Sequence, residues 1–544
     1  MVSREKQGHL FWLILLIVLF TLIIVSHIAF VIFFGSKENS SYTNPLVASR
    51  VIRGSITDRN GHLLAIETPY YSCAIHIPLM KDAQVVASTL SDILFIDEKL
   101  LLENMKNRSS YYLVKRRLTN KEAQLIREAR LDGVVLEKRY GRTYPQHYHA
   151  GQLVGFTNSE NRGLEGLELT YDSLLSPYPA LGETLTYGSD LELTLDIQVQ
   201  YLLDQQVIEI DELHSPSSIV ALVMGAQTGE IIASSVFPFY DPNRYQDFDV
   251  QRRQHSVVSA MYEPGSVFKI FSLASILHAQ QADVDQEFYC DGSYTFYSPS
   301  GQATTINCVS AHGVITPETM IKYSCNGAIA HWANQTDPSL FRQGLVDLGF
   351  STVWDVGLSG SIAGSLQPVE KWSSRSAATI AFGQEIGVTA LQLATAATAI
   401  ATGGELMSPS IVKRITNRGT GEEIVFTPQI SKCGVITPQE AHIILKGMEE
   451  ATESGGTASK IAVEGLRIGA KTGTAQLINE ETGSYDDDHF LASTLAIVPI
   501  EDPVYIIYIG VLHPSGTTIW GSNIASPAIG NLIEDLLRLG KIRY

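Results

Sequence analysis

"YEPGSVFKIFSLASILHA", residues 262–279, sets Ser266 and Lys269 at the head of an apolar run, directly after Pro264 and Gly265. A core helix needs neither polar residue there. Three apart on a helix, the two side chains share one face, with Cβ atoms about 5–6 Å apart. A serine hydroxyl is a weak nucleophile at neutral pH and needs a base. A lysine serves if burial or a second cation lowers its pKa, and Val267, Phe268, Ile270, Phe271 and Leu273 would bury it. A helix N-terminus at Ser266 would also aim a backbone N–H and a positive dipole end at a developing oxyanion.

The spacing alone proves little, because Ser-x-x-Lys recurs at Ser3/Lys6 and at Ser410/Lys413. Ser266 is singled out by two further motifs downstream, in a fixed order. Ser324-Cys325-Asn326 comes next, then Lys471-Thr472-Gly473-Thr474-Ala475 on a predicted strand ahead of a hairpin. Ser159-x-Asn161 repeats the middle element elsewhere, but Lys-Thr-Gly occurs once. No G-x-S-x-G elbow occurs, and Ala470 breaks the spacing a phosphate-binding loop needs before Lys471.

At 544 residues the chain should divide into about three domains. A net charge of -18 leaves no basic footprint for phosphates, so a nucleic-acid partner is excluded. Leu10 to Phe34 is uncharged and apolar but for Thr21, Ser26 and His27, long enough to cross a bilayer as a helix. Arg4 and Lys6 put the N-terminus in the cytoplasm and the remainder outside. The expected division is a cytoplasmic tail 1–8, a transmembrane helix 9–35, a pedestal 36–195 and a catalytic domain 196–544. Five cysteines without C-x-x-C spacing argue against zinc. A disulfide is permitted outside the membrane, and Cys290 with Cys308 is the pair to test first.

From 50 to 195 the chain shows a turn at Arg59–His62 and a charged helical stretch near 120–130, but no catalytic vocabulary. Beyond it, "DIQVQYLLDQQVIEIDEL" reads as a helix capped by Asp196. "SSIVALVMGAQTGEIIASSV" reads as two strands turning at Gln227–Glu230. "FLASTLAIVPI" and "VYIIYIGVLH" form a hairpin too apolar for a solvated sheet, and "GNLIEDLLRLGKI" closes the chain as a helix. The fold class is α+β, an antiparallel sheet covered by helices on both faces. Asp486-Asp487-Asp488 with His489 reads as a solvated turn rather than a metal site, and His312 in "SAHGVIT" as a packing element at a turn.

Together with "RGSITDRNGHLLA" (53–65), "GLEGLELTYDSLL" (163–175), "FGQEIGVTALQLA" (382–394) and "GAKTGTAQ" (469–476), the three motifs resemble class B penicillin-binding proteins. These are single-pass peptidoglycan D,D-transpeptidases. "LVGFTN" (153–158) leans toward the septal rather than the elongation branch. The resemblance implies Ser266 as the acylated nucleophile, Lys269 as its base and Ser324 as the relay to the leaving amine. Asn326 would hold the substrate peptide and Lys471 would add positive charge near Ser324. Thr472 and Thr474, either side of Gly473, would bind the terminal carboxylate. The backbone N–H groups of Ser266 and Thr474 would form the oxyanion hole. Ala390 departs from the proline usual in the family, a matter of packing. No metal and no cofactor are implied.

The implied partners are peptidoglycan stem peptides (a D-Ala-D-Ala donor and an amine acceptor), β-lactams, a membrane glycosyltransferase of the shape, elongation and division family, and divisome proteins. The implied location is the bacterial cytoplasmic membrane, with the catalytic domain in the periplasm. A D,D-carboxypeptidase shares the same residues and stays open. A non-catalytic β-lactam sensor or scaffold is countered by the complete motif set and the short tail before the span.

Overall fold

Strands with no wet face dictate the architecture around Ser266. The computed structural model describes residues 50–179, 183–478, 485–516 and 518–543. In chain order the elements that matter are α1 (Ile197–His214), β1 (Ser218–Gly225), β2 (Ile231–Phe237), α2 (Lys269–Ala279), α3 (Asn326–Gln335), β3 (Gly469–Ile478), β4 (Tyr485–Val498), β5 (Tyr505–Leu512) and α4 (Gly521–Arg538). The strands form one antiparallel sheet in the order β3-β4-β5-β1-β2. On β1, Ile219, Ala221 and Val223 pack with Val199 and Leu203 of α1 and Ile529 of α4. The alternate residues Val220, Leu222 and Met224 pack with Phe271 of α2 and Leu393 of the helix Ala390–Thr402. Period-2 alternation thus sends apolar side chains into two cores, which is why the strands read as continuous apolar runs.

Local signals behave as their chemistry requires. The Asp196 carboxylate accepts from the N–H groups of Gln198 and Val199 and starts α1. Thr119 and Glu122 form a reciprocal capping box at the charged helix Asn120–Ala129. Ala390 is the first residue of its helix, where proline also fits, so the departure from the family leaves the geometry intact.

The pedestal region is organised on Leu63–His76, which pairs antiparallel with Tyr111–Leu118 and with Val134–Thr143. That sheet runs on through Ile56–Thr57 and Asp190–Leu193 to Val412–Thr416 and Glu423–Val425, strands that come more than 200 residues later. Beneath it, the buried guanidinium of Arg53 donates to the Glu168 carboxylate at 2.7 Å and to the Glu168 carbonyl at 2.8 Å. The Glu168 carboxylate also accepts from Arg142 Nε, while Arg142 Nη1 donates to Gly54 O at 2.7 Å. Arg53 and Glu168 are 1% and 0% exposed, which ties the two motif stretches that contain them together.

Three expectations need correction or placement. Asp486–Asp488 lie within strand β4 rather than in a turn. Cys290 and Cys308 do meet, at 3.7 Å between sulfurs, but as free thiols rather than as a disulfide. The predicted span 9–35 lies outside the described residues; among those described, no helix is long and apolar enough to cross a membrane.

Candidate active site

Ser266 sits not on an α-helix but in a 3-10 turn, Gly265–Phe268, that feeds directly into α2. The tighter winding eclipses residues three apart, so Ser266 and Lys269 still share a face. Gly265 has φ +57°, and its N–H donates to Gly383 O at 3.1 Å. A Cβ on Gly265 would come within 2.8 Å of Ala475 Cβ, so only glycine lets this turn lie against β3. Gly473 answers from the strand: a Cβ there would meet Val267 Cγ2 at 2.9 Å and Pro264 O at 3.1 Å. The Lys-Thr-Gly strand is therefore pressed onto the Ser266 turn. Tyr262 and Val388 exchange backbone hydrogen bonds behind it, which is the structural use of the 382–394 stretch.

The remaining motif enters from the helix Pro317–Tyr323 and α3. Ser324 takes φ +57° and ends the first, and Cys325 caps the second. This sharp reversal presents Ser324 and Asn326 to the cleft while Cys325 is fully buried. Lys269 Nζ donates to Ser324 O at 2.6 Å, Ser324 Oγ at 3.0 Å and Asn326 Oδ1 at 2.5 Å. Lys471 Nζ donates to the same Ser324 Oγ at 3.0 Å and to Thr472 O at 2.9 Å. The Asn326 amide donates in turn to Asn307 O at 2.9 Å.

Both lysines are 0% exposed. Burial pushes the Lys269 ammonium down to about 8, against a smaller upward pull from Cys325 and Cys308. Lys471 is also driven well below the usual lysine range, by burial first and by the charge of Lys269 second. Two ammonium groups in one dry pocket disfavour each other.

The structure thus brings Lys269, Ser324, Asn326 and Lys471 into direct contact, with Ser266 on the adjoining turn. Thr472 is almost buried, and the Thr474 hydroxyl accepts from Gly521 N–H at 3.3 Å, at the start of α4. The backbone of Thr474 passes Gly265: a Cβ on that glycine would lie 3.4 Å from Thr474 O. Residues without a role in the sequence reading also build the site. Glu263 accepts from Glu385 N–H at 2.8 Å and from the Tyr485 hydroxyl at 3.0 Å, fixing the approach to the turn. It stands in the opening stretch beside Pro264, where only its neighbours drew notice. A cavity of about 800 Å³ lined by His147, His149, Tyr201 and Leu539 shares no residue with the motifs.

Two family models match the chain. The penicillin binding protein transpeptidase domain matches residues 219–534, and the penicillin-binding protein dimerisation domain matches residues 48–180. Stage V sporulation protein D of Bacillus subtilis is 28% identical over 510 residues, 89% of this chain and 78% of that protein. The peptidoglycan D,D-transpeptidase FtsI of Buchnera aphidicola is 26% identical, over 100% of this chain and 97% of its own. Among solved structures, penicillin-binding protein 3 of Mycobacterium tuberculosis superposes with a TM-score of 0.71 at 23% identity, covering 91% of this chain and 97% of that one. Penicillin-binding protein 2X of Streptococcus thermophilus gives 0.73 at 22% identity, covering 91% and 80%. These structures establish the shared fold. With more than half its length matched by the transpeptidase domain, the chain belongs to the penicillin-binding protein transpeptidase family.

Proposed function

We propose that the chain is a peptidoglycan D,D-transpeptidase that cross-links stem peptides through an ester on Ser266, at the division septum. The observation that carries the reading is the Ser324 hydroxyl, held at 3.0 Å by two buried lysines beside the Ser266 turn. In the free chain Lys269 gives its N–H groups to Ser324 and Asn326, and its pKa near 8 leaves a proton to be moved before it acts as a base. That proton leaves to solvent, while Ser324 Oγ keeps its contact with Lys471 Nζ. Neutral Lys269 then takes the Ser266 proton as Oγ attacks the carbonyl of the penultimate D-Ala. The backbone N–H groups of Ser266 and Thr474 hold the oxyanion. Ser324 hands its proton to the departing D-alanine amine and takes in turn the one that Lys269 Nζ removed from Ser266. An acceptor amine next attacks the ester, loses its proton by the reverse path and restores Ser266, so one difficult step becomes two easier ones. Asn326 orients the peptide, and Thr472, Gly473 and Thr474 line the place of the terminal carboxylate.

The relatives support the same chemistry, since several are named peptidoglycan D,D-transpeptidases, PenA of Neisseria meningitidis at 27% identity among them. Solved complexes of the M. tuberculosis relative with aztreonam and with ampicillin motivate β-lactam acylation of Ser266 here. Leu10–Phe34 anchors the chain in the membrane, with residues 36–195 as a pedestal ahead of the catalytic part at 196–544. The span and pedestal are the surfaces for a membrane glycosyltransferase of the shape, elongation and division family and for divisome proteins. Incubation with a D-Ala-D-Ala stem peptide and an acceptor amine should yield a cross-linked dimer plus D-alanine. Release of D-alanine with water as sole acceptor would instead make the enzyme a carboxypeptidase.

A further inference from the structure

Behind the cleft, four ligand-type side chains converge on one point. The sulfurs of Cys290, Cys308 and Cys325 and a ring nitrogen of His312 all lie within 4.8 Å of one another. Cys290 Sγ is 3.7 Å from Cys308 Sγ and 3.5 Å from His312 Nδ1, and Cys308 Sγ is 3.8 Å from Cys325 Sγ. A tetrahedral zinc with bonds of about 2.3 Å to sulfur and about 2.0–2.1 Å to nitrogen has edges of about 3.8 Å (sulfur–sulfur) and about 3.6 Å (sulfur–nitrogen). The three contacting separations match those edges, and the other three pairs lie within 4.8 Å. One disulfide would close to about 2.05 Å and strand the third thiol and the imidazole.

The surroundings are those of metal-bound thiolates. Gly327 N–H donates to Cys308 Sγ at 3.3 Å and Ala328 N–H to Cys325 Sγ at 3.5 Å. Both donors belong to the first turn of α3, whose dipole favours negative sulfur. Such outer hydrogen bonds orient ligands and tune a metal site. The ligands also sit where a clamp is needed. Phe288–Cys290 pairs with Gly313–Ile315 and Ser293–Tyr297 with Ala303–Asn307, two-stranded ribbons of a kind that is marginal alone. Cys290 ends a strand of the first ribbon, Cys308 comes directly after the second, and His312 donates its backbone N–H to Cys290 O at 3.1 Å.

We propose that Cys290, Cys308, His312 and Cys325 bind one zinc ion that fixes the Ser324–Asn326 loop against Lys269. Four protein ligands close the coordination sphere, so the ion is structural and takes no part in bond making. On binding, three thiols enter as thiolates and release three protons to solvent; zinc keeps its oxidation state. Cys325 stands between Ser324 and Asn326, so holding its sulfur fixes the loop whose oxygens accept from Lys269 Nζ at 3.0 and 2.5 Å. The spacing that argued against zinc concealed this site, because its ligands come from separate elements with no C-x-x-C pair.

The test is metal analysis of the full-length chain, purified in detergent under reducing conditions after expression with zinc. The expected result is one zinc per chain, with an X-ray absorption first shell of three sulfurs and one nitrogen at about 2.3 and 2.0–2.1 Å. Cobalt(II) loaded into the unaltered chain should give thiolate-to-metal charge-transfer bands, a readout independent of any variant. Cys308→Ser and His312→Ala should lose the zinc, whereas Cys433→Ser and Ser266→Ala should keep it. The last variant separates this proposal from the catalytic reading. Chelation should lower the melting temperature and slow penicillin acylation, with zinc restoring both. A chain that takes up neither zinc nor cobalt, or one whose thiol count reveals a Cys290–Cys308 or Cys308–Cys325 disulfide in place of metal, overturns the proposal.

Discussion

At the scale of single residues, the chemistry turns on one proton. As the proposed base, Lys269 has to be neutral to act, and burial lowers its pKa to about 8. A neutral fraction that grows from about one in eleven at pH 7 to ten in eleven at pH 9 makes acylation rise about tenfold across that interval. Stopped-flow labelling with a fluorescent penicillin measures this, and a flat or falling profile would contradict the assignment. Lys269→Ala should slow acylation by roughly 10²–10⁴-fold, the usual contribution of a general base. Ser266, Lys269, Ser324 and Lys471 were legible because three motifs stand in a fixed order, each cheap alone. The protonation pattern was not. It depends on two buried lysines sharing one half-buried hydroxyl, a contact across 147 residues that no local spacing encodes.

At the scale of elements, close approach is the governing fact. Gly473→Ala forces a methyl against Val267, Pro264 and Ser493, with a cost of about 1–3 kcal/mol for overpacking. Calorimetry should register that loss, together with slower acylation as β3 backs away from the Ser266 turn. An unchanged melting temperature would mean the contact is looser than described. Glu168→Ala removes the shared partner of Arg53 and Arg142 and leaves buried guanidinium charge, a loss of about 3–5 kcal/mol. Denaturant titration of the variant checks it. Elements with a local cause were readable: Asp196 caps α1, and the apolar hairpin of β4 and β5 falls in the interior. The strands at 412–425 were not, because their partner at Asp190–Leu193 is far away in sequence. The start of α2 also differed, since a 3-10 turn and an α-helix share the same apolar signature over four residues.

For the whole molecule, the pedestal and the catalytic part share a sheet, so the enzyme should behave as one cooperative body rather than two beads. With Leu10–Phe34 as the proposed anchor, removing residues 1–35 should leave penicillin labelling intact and abolish complementation of a depleted strain. A tagged full-length chain should collect at midcell; a lateral-wall distribution would assign it to elongation. The most direct test of the account is to label the full-length chain in membranes with penicillin, digest it and locate the adduct by mass spectrometry. A single adduct on Ser266, absent from Ser266→Ala, is the expected result. An adduct on another residue, or labelling that survives the substitution, would contradict it.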